Sequence, residues 1–169
     1  AAEPNTDAYW LSRAMTFGGA LDHRIESFET GFNNPKLLEA ELPGAGGVSN
    51  AYSLAKIYSA AATVTDGIRL LEDGTLRAAT ATQSTGPLRF ESQTGPFPVW
   101  GNGFMLDVTG FKGMLGKHSF GHDGLGGQNA FGDFEHRIGF AYTTNYLQSG
   151  AQEQSRQQQL IQTLKEILN

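Results

Sequence analysis

No cysteine occurs among the 169 residues, which excludes disulfides, thiolate metal sites and a cysteine nucleophile together. No apolar stretch approaches the roughly 18–20 residues that a membrane-spanning helix requires. Lys and Arg nowhere form a run of three. With 12 basic against 17 acidic residues and a net charge of −5, the chain lacks the clustered basic face of a nucleic-acid binder. The start, AAEPNTDAYW, has neither the basic nor the apolar region of a signal peptide. Glycine, by contrast, is abundant: 22 residues, about 13% against an ordinary ~7%. The glycines follow no repeat period, so they are assigned to turns and close backbone approaches.

The length suits one domain, or part of a larger one. Three segments are distinguished within it. Residues 1–46 read as a loop-rich segment with short helices, one over Ala8–Met15 and one turn at Leu37–Glu41, broken by Asn33, Asn34, Pro35, Pro43 and Gly44 to Gly47. Residues 47–98 are helical with a connecting loop. Ser49 or Asn50 caps a helix whose apolar positions Ala51, Leu54, Ala55, Tyr58, Ala61 and Ala62 share one face, and Asp66-Gly67 ends it. A second helix is predicted from Gly74 or Thr75 to Ala81, and Gln83–Pro98 reads as loop.

Residues 99–169 carry antiparallel strands and a C-terminal helix. Phe104–Val108 and Lys117–His122 are strand candidates. Gln128–Phe131 and Arg137–Asn145 form a hairpin across Asp133–His136. Ile138, Phe140 and Tyr142 alternate with Gly139, Ala141 and Thr143, giving a face of large residues and a face of small ones. The tail, Gln152–Leu168, is amphipathic and is expected to pack closely on the small face. The fold class is α+β, an antiparallel sheet packed by helices.

Cofactor signatures are weak. Gly124-Leu125-Gly126 has Asn129 where a dinucleotide fingerprint needs its third glycine, and no Gly-Lys-Ser/Thr follows. His118 and His122 are four apart in a predicted strand, about 13 Å, too far to share a metal. No Gly-x-Ser-x-Gly elbow occurs. No cofactor and no metal are therefore expected. Ser53-Leu54-Ala55-Lys56 spells Ser-x-x-Lys, in which a lysine one turn after a serine can take its proton. At 100° per residue, however, both side chains fall far from the apolar face, where no walled cleft excludes water. Ser53 reads as a decoy. The remaining cluster, Phe120-Gly121-His122-Asp123-Gly124-Leu125-Gly126-Gly127-Gln128, sets a polar pair on a strand ahead of glycines that let a substrate lie along the backbone. Free N–H groups there can hold an oxyanion. Read without that chemistry, it is a glycine-rich strand end with one surface histidine.

The run FGHDGLGGQNAFGDFEHRIGFAYTTNYL resembles the C-terminal strands of the serine β-lactamase-like family of class C β-lactamases, penicillin-binding proteins, DD-peptidases and esterases. NNPKLLEAELPGAGGVSNAYSLAKIYSAAA resembles the helix and loop leading into them, and WGNGFML the strand before the last motif. The likeness covers most of residues 33–168. It implies the C-terminal portion of a serine β-lactamase/transpeptidase-like fold. That family uses Ser-x-x-Lys, Tyr-x-Asn and Lys/His-x-Gly; the third alone is matched, by His122-Asp123-Gly124. By resemblance, His122 binds or polarises the substrate, Gly124 allows close approach and the Leu125 N–H is an oxyanion donor, with Asp123 beside the substrate. No Tyr-x-Asn occurs, Tyr142-Thr143-Thr144-Asn145 being one residue too long. Ser53-Leu54-Ala55-Lys56 lies in a helix that the family places after its nucleophile.

The resemblance thus implies a serine hydrolase acting through an acyl-enzyme. This chain would supply the His-x-Gly strand, and its partner, the N-terminal half of the same parent protein, would carry Ser-x-x-Lys and Tyr-x-Asn. The chain alone is expected to be inactive, with apolar surface exposed where that half packs. The substrate is a small ester or amide, with esters favoured because the Asp123 carboxylate opposes an anionic β-lactam. Neither nucleic acid nor a membrane span is expected. The alternative is a non-catalytic binding or scaffold relative of the same fold.

Overall fold

A computed structural model describes residues 3–21, 31–87, 96–108, 113–124, 126–148 and 155–168. The chain divides into two compact units, residues 1–49 with 88–92 and residues 50–87 with 93–169. In the first, α1 (Asp7–Met15) starts where the Thr6 hydroxyl accepts from the Tyr9 N–H, a local cap. A short 3-10 turn, Phe17–Gly19, and α2 (Pro35–Leu38), with Asn34 as its cap, are its other regular elements among the described residues.

The second unit holds a six-stranded antiparallel meander. Its strands are β1 (Ser84–Thr85), β2 (Val99–Trp100), β3 (Met105–Leu106), β4 (Ser119–Gly124), β5 (Gln128–Asp133) and β6 (Ile138–Tyr142), each paired with its neighbours in chain order. Among the described residues, three helices accompany them: α3 (Ala51–Ala62), α4 (Asp73–Thr80) and α5 (Ser155–Leu168). Short connections between sequential strands make neighbours in sequence neighbours in space.

The register explains the two cores. Phe120 on β4 lies opposite Gly132 on β5, which lies opposite Gly139 on β6. One residue along, Gly121 lies opposite Phe131, which lies opposite Phe140. Successive residues point to opposite faces, so each face receives large side chains where the other receives glycine. Phe120, wholly buried, packs with Ala61, Ala62 and Leu76. Phe131, also wholly buried, stacks on Phe140 at 4.9 Å and packs with Met105, Met114 and Ile161. Each buried phenylalanine contributes about 1.5–3 kcal/mol.

The helices divide between these faces in a way that corrects the expectation for the tail. The small face of β6 is covered by α3, not by the C-terminal helix. A Cβ on Gly139 would collide with Ala55 O and Ser59 N, and one on Gly132 would stand 2.8 Å from Tyr58 O. Small residues on both surfaces let helix and sheet backbones approach, and α3 offers Ala60, Ala61 and Ala62. The tail helix α5 brings Ile161, Leu164 and Leu168, and meets the large face with Phe131, Phe140 and Ile138. Bulk needs bulk at the larger separation.

Other boundaries shift modestly. Asn50 caps α3, its Oδ1 accepting from Ser53 N at 2.8 Å, as one of the two expected caps. The helix stops at Ala62 because Thr63 is extended, and the Asp66-Gly67 turn, both residues at positive φ, follows it. Within the segment read as loop, Ser84–Thr85 pairs with β2 as an exposed edge strand that no apolar pattern marks. His118 falls just outside β4, beside Glu135 at 3.5 Å and against the Phe134 ring. Among the described residues, no helix is long and apolar enough to cross a membrane.

Candidate active site

Strand β4 ends in His122, Asp123 and Gly124, and the hairpin that follows returns as β5. Gly126 and Gly127 both lie at positive φ, +83° and +96°, where a side chain would be strained. A Cβ on Gly126 would also stand 3.0 Å from the Leu147 Cα. The glycines that drew attention in the sequence therefore make the turn and admit the Leu147 segment. Leu125 lies outside the described residues.

His122 and Gly124 open onto a shallow hollow of about 210 Å³, bordered also by Leu54 of α3, Gln128 and Ala130 of β5 and Tyr142 and Thr143 of the β6 end. The structure thus brings His122, Asp123 and Gly124 to one concavity. Leu54, Tyr142 and Thr143 join it from elements distant in sequence, so no local motif could have announced them. Tyr142 and Thr143 sit there because β6 ends where β5 begins.

The His122 side chain is 56% exposed. Its ring lies 5.3 Å from the Trp100 ring at 41°, which limits the orientations open to it. Its Nδ1 is hydrogen-bonded to the carbonyl oxygen of Asp123. A carbonyl can only accept, so Nδ1 carries the proton, and Nε2 of the neutral ring keeps a lone pair. Asp123 behaves differently: its side chain is 8% exposed, with Oδ1 3.9 Å from the His122 Nδ1. Gly124 is close-packed, with Gln128 Cβ 3.3 Å from where its own Cβ would be.

Ser53 and Lys56 lie apart from this hollow, beside a different groove with Ile57, Ala60, Ile68 and Leu70. Lys56 Nζ pairs with Asp66 at 2.6 Å. The hydrogen bond that Lys56 donates to Asp66, together with the Asp66 charge, raises the Lys56 pKa above the usual lysine value. A lysine acting as a base needs the reverse shift, so Ser53-Leu54-Ala55-Lys56 is not assembled as a nucleophile and base.

Three solved structures resemble this architecture. EstA from Arthrobacter nitroguajacolicus Rue61a is 29% identical, with a TM-score of 0.67 over 97% of this chain and 45% of its own. A family VIII carboxylesterase is 26% identical, with a TM-score of 0.63 over 78% of this chain and 36% of its own. A novel penicillin-binding protein homolog from Caulobacter crescentus is 30% identical, with a TM-score of 0.50 over 59% of this chain and 26% of its own. The chain therefore spans less than half the length of each of these structures. A search of curated proteins gives no match. The sequence model of the Beta-lactamase family matches residues 2–165, nearly the whole chain. With its antiparallel sheet between helices and this match from end to end, the chain belongs to the beta-lactamase family.

Proposed function

We propose that this chain is the C-terminal part of a serine hydrolase that works through an acyl-enzyme, and that its substrate is a small ester. The nucleophile, with Ser-x-x-Lys and Tyr-x-Asn, comes from the N-terminal half of the parent protein. The observation that carries this reading is the end of β4, where His122 and Gly124 border one hollow and the His122 Nδ1 is held by the Asp123 carbonyl oxygen. The likeness to EstA over 97% of this chain but 45% of that one supports a missing half.

In this mechanism a serine attacks the ester carbonyl and backbone N–H groups hold the developing oxyanion, one of them the Leu125 N–H. Water later releases the acyl group. His122 borders the carbonyl: neutral, its Nε2 accepts a hydrogen bond from the proton network; protonated, it donates to the substrate. Asp123 fixes the ring through its carbonyl oxygen, and its shielded carboxylate still disfavours an anionic substrate. The family VIII carboxylesterase among the similar structures supports esters over β-lactams.

Fluorophosphonate labelling with peptide mapping tests the reading. The expected result is no label on Ser53 and label on a serine outside these 169 residues, in the parent or in a co-purifying polypeptide. Label on Ser53 would overturn the two-part site. No label on any polypeptide would favour a non-catalytic relative.

A further inference from the structure

Past the other end of β4 and β5, about 13 Å from His122 along the strand direction, since His122 pairs with Ala130 four residues before Phe134, a separate hollow of about 610 Å³ opens. It lies between the end of α3, the start of α4 and the β5–β6 turn, within the second unit. Three guanidinium groups border it: Arg69 just before α4, Arg77 within α4 and Arg137 in the turn. In a chain of net charge −5, with its cations scattered along the sequence, this convergence is a product of the fold. Among the described residues that line it, Asp73 is the one acidic residue, which gives them a net charge of +2.

The three arginines are not equivalent. Arg69 is built in: its Nε donates to Leu71 O at 2.8 Å, and its guanidinium pairs with Asp73. Arg77 and Arg137 are exposed, and neither side chain makes a hydrogen bond or ion pair with a described residue. Arg137 stands at φ +58°, a left-handed conformation unusual for a side chain this large, which the tight turn between β5 and β6 imposes. Phe134 and Val64 give the hollow an apolar wall. A fixed arginine, two arginines without counter-charges among the described residues and an apolar wall make a cradle for oxyanions, since the guanidinium fork matches carboxylate and phosphate oxygens in pairs.

The geometry points to a second binding site here, for a small anion with two or more phosphate or carboxylate oxyanion groups. The volume falls within the ~300–1,000 Å³ of small-molecule sites. Asp73 occupies Arg69, so Arg77 and Arg137 hold most of the ligand charge. Nothing in this site draws on the residues around His122, so it stands or falls apart from the hydrolytic reading.

Calorimetric titration of the intact protein with inorganic pyrophosphate, and separately with citrate, tests the site at constant ionic strength. Saturable binding of at least one is expected, and whichever binds tighter tells phosphate from carboxylate preference. Arg77→Gln and Arg137→Gln should each weaken it by about tenfold or more. Arg13→Gln, in the other unit, should leave it unchanged. Failure of both anions to saturate, or equal binding by the arginine variants, overturns the proposal. So does a third result, in which the variants lower the thermal stability of the complete parent while neither anion binds. The cluster would then dock an acidic protein segment.

Discussion

The two ends of strands β4 and β5 are built to opposite specifications. At the His122 end the side chain over the hollow is exposed and the turn is made of glycines at positive φ. Three residues back along β4, about 10 Å away, Ser119 and Asp133 are each 1% exposed and fully bonded. Ser119 Oγ accepts from Leu115 N and Gly116 N at 3.2 Å and donates to Asp133 Oδ2 at 2.7 Å. Asp133 Oδ1 accepts from His136 N at 2.8 Å and from His136 Nδ1 at 2.9 Å. One carboxylate thereby ties the loop before β4 to the turn after β5. The closed end holds the register that the open end needs, because a slip of one residue would turn His122 to the other face.

Substitutions at the closed end should therefore unfold the unit, whereas those at the open end should change chemistry alone. The largest effect is expected at Gly139, beneath α3. Gly139→Ala places a methyl against Ala55 O and Ser59 N, backbone atoms that cannot rotate away. A loss of about 4 kcal/mol is expected, above the ~1–3 kcal/mol usual for overpacking. Urea unfolding should show it, with Gly74→Ala, which has open space around its Cβ, within about 1 kcal/mol of the parent chain. A tolerated Gly139→Ala would mean that α3 does not seat this closely.

Asp133→Asn comes next, and it discriminates better than alanine. Both carboxylate oxygens accept hydrogen bonds, and the Ser119 hydroxyl is already committed as donor to Asp133 because two N–H groups occupy its acceptor side. Either orientation of an asparagine amide sets its NH2 against another donor. A loss of about 3 kcal/mol is expected by denaturant unfolding. A change below 1 kcal/mol would show that the ties across the closed end are not what holds it. At the open end, His122→Gln should keep stability within about 0.5 kcal/mol while lowering ester turnover by the complete parent about a hundredfold. Equal turnover would remove His122 from the mechanism and leave the hollow a surface dimple.

The contrast between the ends was only partly legible in the sequence. The β5–β6 hairpin could be read because alternation and the Asp133–His136 turn are local signals. The open end could be read because polar residues followed by glycines are conspicuous within nine positions. The Asp133 ties could not, since Ser119 stands 14 residues away and meets Asp133 only through the strand register. The face of each helix was hidden for a related reason. Alternation in β6 announces two different faces, but the choice between α3 and α5 depends on matching alanines to glycines and Ile161 to Phe131 across the fold.

The smallest expected effect is pH-dependent and joins α3 to the core over the closed end. Tyr58 packs against Phe104 and Phe120, at ring separations of 6.5 and 6.2 Å, and burial raises its pKa above the usual tyrosine value. Below pH ~10 the phenol is neutral in both folded and unfolded chains and costs nothing. Above that pH the unfolded chain ionises first, because the buried phenol resists, so stability falls as pH rises towards the folded pKa. Lys56 loses its pairing with Asp66 in the same direction, but it does so equally in a Tyr58→Phe variant. The difference between the two proteins isolates Tyr58. Urea midpoints should nearly coincide at neutral pH and diverge above pH ~10, with Tyr58→Phe the more stable. Midpoints that stay parallel through that range would mean that the phenol reaches water, and that α3 lies looser over Phe120 than the contacts of Gly132 and Gly139 require.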